Sequence, residues 1–354
     1  MKAISVDKLQ PGMELARTVV NDEMVVILSE NTLLTKAHIT RLSFLNVPSV
    51  YIKDEYELSP NYQSVMSLFN RGNAFASEYK EVLREVSSII DATAKTGKIP
   101  VAKSQDLVKG SLAPMSRNSG AIDYLYSLNH MADDLYNHSM RVAILSGVIG
   151  KWLYKKPAQI NNLILAGFLH DIGKTKFPPR LQSRRAESLK NEDLETYMKH
   201  TMEGANILDD DSRIPACVKL AALQHHEAMD GSGFPLGSKG DDIHEYARIV
   251  AVADLYDNIT TEREGFVRQT PFAAIARITE DMYTRLDPAI CVTILKRIKD
   301  AFLGSAVMLS NGLTGTIVNY PSDFARHPLV RIDQENIIDL NQYKDISIIE
   351  YNQK

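Results

Sequence analysis

The stretch NNLILAGFLHDIGK, residues 161–174, constrains this chain more than any other. Its continuous apolar run reads as a buried helix, too apolar to lie on a surface. The run then ends in His170 and Asp171, so an imidazole and a carboxylate are carried into the same interior. A buried carboxylate is costly unless it is paired, hydrogen-bonded or bound to a metal ion. The sequence therefore calls for a helical packing with a partner for that charge inside it.

The surrounding sequence agrees with such a packing. From Gly120 to about Phe302 nearly every segment has helical periodicity, separated by Pro, Gly and Asp. IPACVKLAALQHHE and EYARIVAVADLYDNIT are examples. Before it, MVVILSE and PSVYIKD read as strands flanking a helix in TKAHITRLSFLNV capped by Thr35. Ser59 to about Ala94 is helical through Val82, Leu83, Val86, Ile89 and Ile90, and KTGKIP breaks it. A second helical stretch starts near Ser104, and APMSRNSG reads as a break or kink. After Gly304, AVMLSNGLTGTIVNY contains two short strands about an Asn-Gly turn, and PLVRID and DISIIE continue as strands. The expected fold is mainly α: an all-α helical bundle with a small N-terminal α+β module, a helical connector and a short C-terminal β cap. The expected divisions are 1–57, 58–119, 120–303 and 304–354.

Composition excludes some function classes. A net charge of −4 gives no global attraction to nucleic acid or to an anionic membrane. No apolar run approaches the ~18 residues of a membrane span, and the N-terminus lacks a signal-peptide pattern. Cys217 and Cys291 form neither a CxxC pair nor a disulfide framework. The expectation is a cytoplasmic protein without membrane insertion or nucleic-acid binding.

Five of the nine histidines fall in the helical region beside acidic residues or helix ends: His138, His170, His200, His225 and His226. His38, His130, His244 and His327 read as surface or ordinary core residues. Asp254 in VAVADLYDN repeats the problem of Asp171, a carboxylate inside an apolar stripe, and Asp257 follows at i+3 on nearly the same face. Asp257 reads better as a supporting carboxylate than as a ligand. Adjacent helical side chains point about 100° apart, so His225 and His226 converge only on something between their directions. Together the five imidazoles and two carboxylates come from five separate helices. They suit two adjacent metals with Asp171 as the bridge. Mixed imidazole and carboxylate ligation without cysteine fits iron, manganese, cobalt or nickel, and zinc also. Paired metals ~3.5–4 Å apart lower the pKa of a bridging water, and the resulting hydroxide can attack phosphorus in line. Lys174, one turn after Asp171, is placed to contact a phosphate or to assist the leaving oxygen.

His138 in HSMRVA, HDIGK, His200 in HTMEG, HHEAMDGSGFP and ADLYDNIT occur in the order and spacing of the HD-GYP phosphodiesterases, a bacterial branch of the HD-domain hydrolases. The resemblance runs from about Ile122 to Phe302. ISVDKLQPGMELARTV is similar to the N-terminal module that often precedes such domains, and GSAVMLSNGLTGTIVNY to the β cap that often follows. The resemblance implies hydrolysis of cyclic di-GMP to pGpG and often on to GMP. It also implies two or three divalent metals, iron or sometimes manganese. It assigns His138, His170, Asp171 and Asp254 to one metal, and Asp171, His200, His225 and His226 to the second. A third metal in such members uses an acidic residue one turn before the first histidine. Here that is Asp134, where glutamate is usual.

Three departures from the pattern stand out. Gly233-Phe234-Pro235 replaces Gly-Tyr-Pro, which keeps a ring for stacking and loses a hydroxyl. Gly231, Gly233 and Pro235 still supply the turn chemistry of the loop. Of the two basic positions that the family often places after the last ligand helix, Arg263 fits the first as a phosphate contact. Phe266 occupies the second, with Arg268 as a substitute. Asn258 stands where alanine is usual. The alternatives are a phosphodiesterase for hybrid cyclic GMP-AMP or another nucleotide, and a catalytically weak cyclic-dinucleotide-binding signalling protein. The expected partners are the cyclic dinucleotide, a diguanylate-cyclase-domain protein and, given the helical connector, a second copy of the chain.

Overall fold

The computed structural model describes residues 2–352 except 11–12, 21–25, 30–31, 33, 35, 46, 54–59, 119, 129–133, 183–188, 190, 263–265, 267, 334–335 and 344. Thr35, His130 and Arg263 therefore lie outside the described residues. The chain divides into two compact units, Met1–Ser77 and Glu78–Lys354.

In the first unit, strand β1 (Lys2–Ser5) pairs antiparallel with β4 (Ser49–Ile52), Lys2 opposite Ile52. Strand β2 (Val19–Val20) pairs with β3 (Val26–Leu28), and helix α1 (Lys36–Phe44) lies between β3 and β4 in the chain. Leu15, Leu34 and Leu42 are fully buried and, with Val50 and Ile52, make a small core. The alternation of β4, exposed then buried, shows why SVYI forms a half-covered strand.

Helix α2 (Pro60–Thr96) is long and enters the second unit at Glu78. There it buries Tyr79, Val82, Val86, Ile89 and Ile90, three and four residues apart, as a single apolar stripe. After the turn at Gly97, helix α3 (Val101–Leu107) starts three residues before Ser104 and passes through a π-helical turn, Val108–Leu112, into α4 (Ala113–Arg117). APMSR is thus helical and the chain breaks after it, at Asn118. Pro114 is tolerated because it falls in the first turn of α4, where its missing N–H costs little.

The remaining helices are α5 (Ala121–Leu128), α6 (Leu135–Trp152), α7 (Pro157–Leu169), α8 (Pro179–Gln182), α9 (Asn191–Met198), α10 (His200–Asp209), α11 (Ala216–Gln224), α12 (Glu245–Thr260), α13 (Pro271–Asp281) and α14 (Pro288–Phe302). A 3-10 turn, Ile172–Lys176, follows α7. Every residue of α6 from Asn137 to Gly150 is buried, so α6 is the central helix. It packs on α7 and α12, while α10 and α11 close the same end through the 3-10 turn and α7.

Strands β5 (Ala306–Leu309), β6 (Thr314–Asn319), β7 (Leu329–Arg331), β8 (Ile337–Asp339) and β9 (Ile348–Asn352) form one antiparallel sheet, ordered β8-β7-β6-β5-β9. The three-residue β8 is too short for sequence alternation to reveal. Tyr351 of β9 docks the sheet on the bundle: its ring meets Phe272, Phe302 and Tyr126, and its hydroxyl donates to Asp123 at 3.3 Å. Among the described residues, no helix is long and apolar enough to cross a membrane. Cys217 and Cys291 are free thiols.

Candidate metal centre

Five helix ends and faces bring the predicted side chains together. His138 sits in the first turn of α6, His170 caps the C-terminus of α7, and Asp171 follows it directly. His200 opens α10. Helix α11 stops at Gln224, so His225 is its C-cap and His226 lies beyond it. That stop, rather than helical geometry, lets the two rings approach to 4.2 Å. Asp254 projects from the middle of α12. All seven are buried except His226, which is half-buried.

The donors form two groups that share one residue. Ligand atoms of His138, His170 and Asp171 lie within 4.8 Å of one another, and so do those of Asp171, His200, His225 and His226. Asp171 divides its oxygens between the groups. Its Oδ2 faces His138 Nε2 at 3.4 Å and His170 Nε2 at 3.5 Å. Its Oδ1 faces His200 Nε2 at 3.2 Å and His225 Nε2 at 3.6 Å. Asp254 Oδ1 joins the first group, 3.2 Å from His138 Nε2 and 4.0 Å from His170 Nε2. Donors around one first-row ion, bonded at ~2.1 Å, stand roughly 3.0–3.4 Å apart in octahedral or tetrahedral arrangements. The observed spacings, 3.2–4.0 Å, approach those of a ligand set.

The tautomers support the same conclusion. His170 Nδ1 donates to Gly167 O at 2.8 Å, His200 Nδ1 to Tyr197 O at 2.5 Å, and His225 Nδ1 to Ala222 O at 3.0 Å. With its Nδ1 hydrogen so placed, each ring turns its Nε2 to the centre. His200 Nε2 and His225 Nε2 then face each other at 3.2 Å as two acceptors, a contact that a cation held between them would make favourable. Among the described residues, His170 Nε2 and Asp171 Oδ1 find no hydrogen-bond partner although both are buried. Burial lowers the His170 pKa to about 4 and the His200 pKa to about 3, which keeps both rings neutral and ready to ligate. Burial also opposes charge on His138, yet hydrogen bonds to Asp171, Asp254 and Asp257 outweigh it and raise its pKa to about 10. The carboxylates there demand positive charge. For Asp171 burial again opposes ionisation, and the Lys174 ammonium and neighbouring imidazoles hold it well below the usual carboxylate range. These observations fit the residues to a divalent metal.

Support comes from residues around the cluster. Asp257 accepts from His138 Nδ1 at 2.8 Å and from Arg141 Nε at 2.6 Å, so it orients the imidazole as a carboxylate behind a ligating histidine does. Arg141 was not singled out in the sequence, where nothing separates it from a surface helix cation; its burial in α6 appears only in the fold. We expect Arg141→Met to strand the Asp257 charge and to destabilise the second unit by roughly 3 kcal/mol, measured by denaturant unfolding.

Lys174 is buried and not a surface residue. The 3-10 turn eclipses positions i and i+3, and Lys174 Nζ accordingly meets Asp171 Oδ2 at 2.6 Å. The Tyr197 ring, also missed in the sequence, lies under the same ammonium at 4.9 Å. The loop after His226 is drawn back over the centre. Phe234 N donates to His226 O, and the Phe234 ring stacks on His226 at 4.7 Å. Glu227 accepts from Leu236 N and Ser238 N and ties the loop. Gly233 has to be glycine, because a Cβ there would meet Ala228 N at 2.4 Å. The Phe234–Pro235 peptide is cis.

Not every expected residue joins the cluster. Asp134 is the N-cap of α6, its Oδ1 accepting from Asn137 N at 2.8 Å and Asn137 Nδ2 at 3.0 Å, and it belongs to neither donor group. Arg268 lies over the Tyr126 ring at 4.6 Å and donates to Tyr126 O. Phe266 is half-buried.

Comparison with known proteins places this geometry. Residues 127–290 match the family described as HD domain. A cyclic di-GMP phosphodiesterase of Pseudomonas aeruginosa is 29% identical over 234 residues, 66% of this chain and 56% of that protein. A 3'3'-cGAMP-specific phosphodiesterase of Vibrio cholerae is 31% identical over 160 residues, 45% of this chain and 34% of that protein. The chain thus spans 56% and 34% of the lengths of these two relatives. An HDG"Y"P protein of Bdellovibrio bacteriovorus shares the fold, with a TM-score of 0.53 and 20% identity over 83% of this chain and 99% of that one. With its ordered histidines and aspartates gathered at the end of a buried helix, the segment 127–290 belongs to the HD-domain family.

Proposed function

We propose that this chain is a metal-dependent phosphodiesterase for a cyclic dinucleotide, with cyclic di-GMP as the first candidate substrate. Two divalent transition ions, iron or manganese, would be held by His138, His170, Asp171 and Asp254 on one side and by Asp171, His200, His225 and His226 on the other. A trinuclear form would draw on Asp134. Bound metals would supply an activated water and neutralise charge on the phosphoryl oxygens.

The observation that carries this reading is the division of Asp171, one oxygen toward each set of imidazoles. The chain's own residues would do the rest. Lys174, held by Asp171 and the Tyr197 ring, would offer its ammonium to a substrate phosphate or to the departing oxygen. The Gly233-Phe234-Pro235 loop would set an aromatic face beside His226 for a base to stack on. Arg263 would add a phosphate contact. The four-part division of the chain, a diguanylate-cyclase-domain partner and a homodimer belong to the same reading.

Hybrid cyclic GMP-AMP is the second candidate substrate, favoured by the name of the Vibrio cholerae relative. Anaerobically purified, metal-loaded protein should be assayed on both dinucleotides with product analysis. Expected is hydrolysis of cyclic di-GMP to pGpG or GMP, at least about tenfold faster than the hybrid, a margin of about 1.4 kcal/mol in the barrier. Faster hydrolysis of the hybrid selects the second substrate. Binding of either without turnover contradicts an enzyme and leaves a sensor.

A further inference from the structure

Most donors at the centre are anchored from behind by buried groups. Backbone carbonyls hold His170, His200 and His225; Asp257 holds His138; Lys174 holds Asp171. Asp254 is anchored differently. Asn258 Nδ2 donates to Asp254 Oδ1 at 2.8 Å. Among the described residues this is the one hydrogen bond to Asp254 from outside the imidazole cluster. Four residues apart on α12, the two side chains share a helix face. Asn258 itself is half-buried. The oxygen it holds is the one that stands 3.2 Å from His138 Nε2.

We propose that Asn258 is a positioning residue for one half of the metal centre. It restricts the Asp254 side chain to the rotamer that faces His138 and His170, and so raises the metal affinity of that half alone. The other half, His200 with His225 and His226, shares no atom with this contact. The inference rests on the proposed two-metal centre. Partners behind a ligand typically change metal affinity by about 10–100-fold. The lower end applies, because Asn258 is half-buried and water can replace part of its hydrogen bond.

Asn258→Ala isolates the effect. Alanine is the better helix former, so the fold should not weaken. The full-length wild type and variant, stripped with chelator, would be titrated anaerobically with Mn2+ by calorimetry and by electron paramagnetic resonance of the bound ion. Expected for wild type are two sites. Expected for the variant are one site weakened roughly tenfold and one unchanged, with thermal stability of the stripped protein equal or higher. A residue with only a structural role would not lower affinity at one site while leaving stability intact. Wild type with two sites and a variant with both unchanged, or both weakened alike, overturns the role of Asn258 and leaves the centre standing. Wild type without a manganese site overturns the centre, and this inference with it.

Discussion

Asp171→Ala should abolish both metal binding and turnover. Each oxygen of Asp171 faces a different pair of imidazoles, so its removal takes a ligand from both groups at once. A variant lacking His226 would damage one group only. The loss of turnover should be on the order of a thousandfold or more, the scale seen when one preorganised electrostatic group is removed from a site. Removal also strands the buried Lys174, whose ammonium sits 2.6 Å from the carboxylate. Some stability is therefore lost as well, and circular dichroism has to accompany the assay. Metal content by mass spectrometry, read beside cyclic di-GMP turnover, separates the cases. A folded Asp171→Ala protein that keeps both ions and its activity contradicts the bridging role.

Gly173→Ala should be the most damaging glycine-to-alanine change among the described residues. A Cβ at this position would lie 2.0 Å from His200 O and 2.5 Å from Gly204 N. Both are backbone atoms of α10, so no side chain can rotate away to make room. The 3-10 turn after Asp171 and the start of α10 touch directly, and that contact sets His200 beside Asp171. Relief of the clash requires α10 to move by more than an ångström, and with it the candidate ligand His200 at its first residue. Overpacking of a core usually costs about 1–3 kcal/mol, and a backbone clash of this depth should exceed ~4 kcal/mol. Urea unfolding of the stripped protein gives the stability. Metal titration of whatever folds should show the His200 group weakened before the His138 group. Unchanged stability would mean that the two segments do not meet as described.

Much of this centre could be read from the residues alone, for a physical reason. A carboxylate or imidazole at the end of a run such as LILAGFL has no water to turn to, so its need for a partner is written in its neighbours. That logic found His170, Asp171 and Asp254, and family resemblance ordered the rest. It failed where the information is three-dimensional. Arg141 looks like any helix cation until α6 is seen to be buried on all sides. Tyr197 reads as part of a polar helix, and its place under Lys174 depends on where α9 lies. The lone pairs that face inward are aimed by the carbonyls of Gly167, Tyr197 and Ala222, and backbone direction cannot be read from residue type. The convergence of His225 and His226 came about through an early helix stop, not through the 100° spacing expected of a helix. The break expected in APMSRNSG falls at its end, at Asn118, because a π-helical turn carries the helix past Pro114.

Asn258 shows the reverse case. As a letter in ADLYDNIT it departs from pattern with no stated reason. In the fold it is one hydrogen bond from a candidate ligand.

Asp171, on the proposed function, joins two metal ions. Anomalous X-ray scattering from crystals of anaerobically purified protein, collected on both sides of the iron and manganese edges, tests it most directly. Two peaks are expected about 3.5–4 Å apart, one among His138, His170 and Asp254, the other among His200, His225 and His226, with Asp171 between them. A metal-replete crystal with a single ion, or with ions that leave Asp171 uncoordinated, would contradict it.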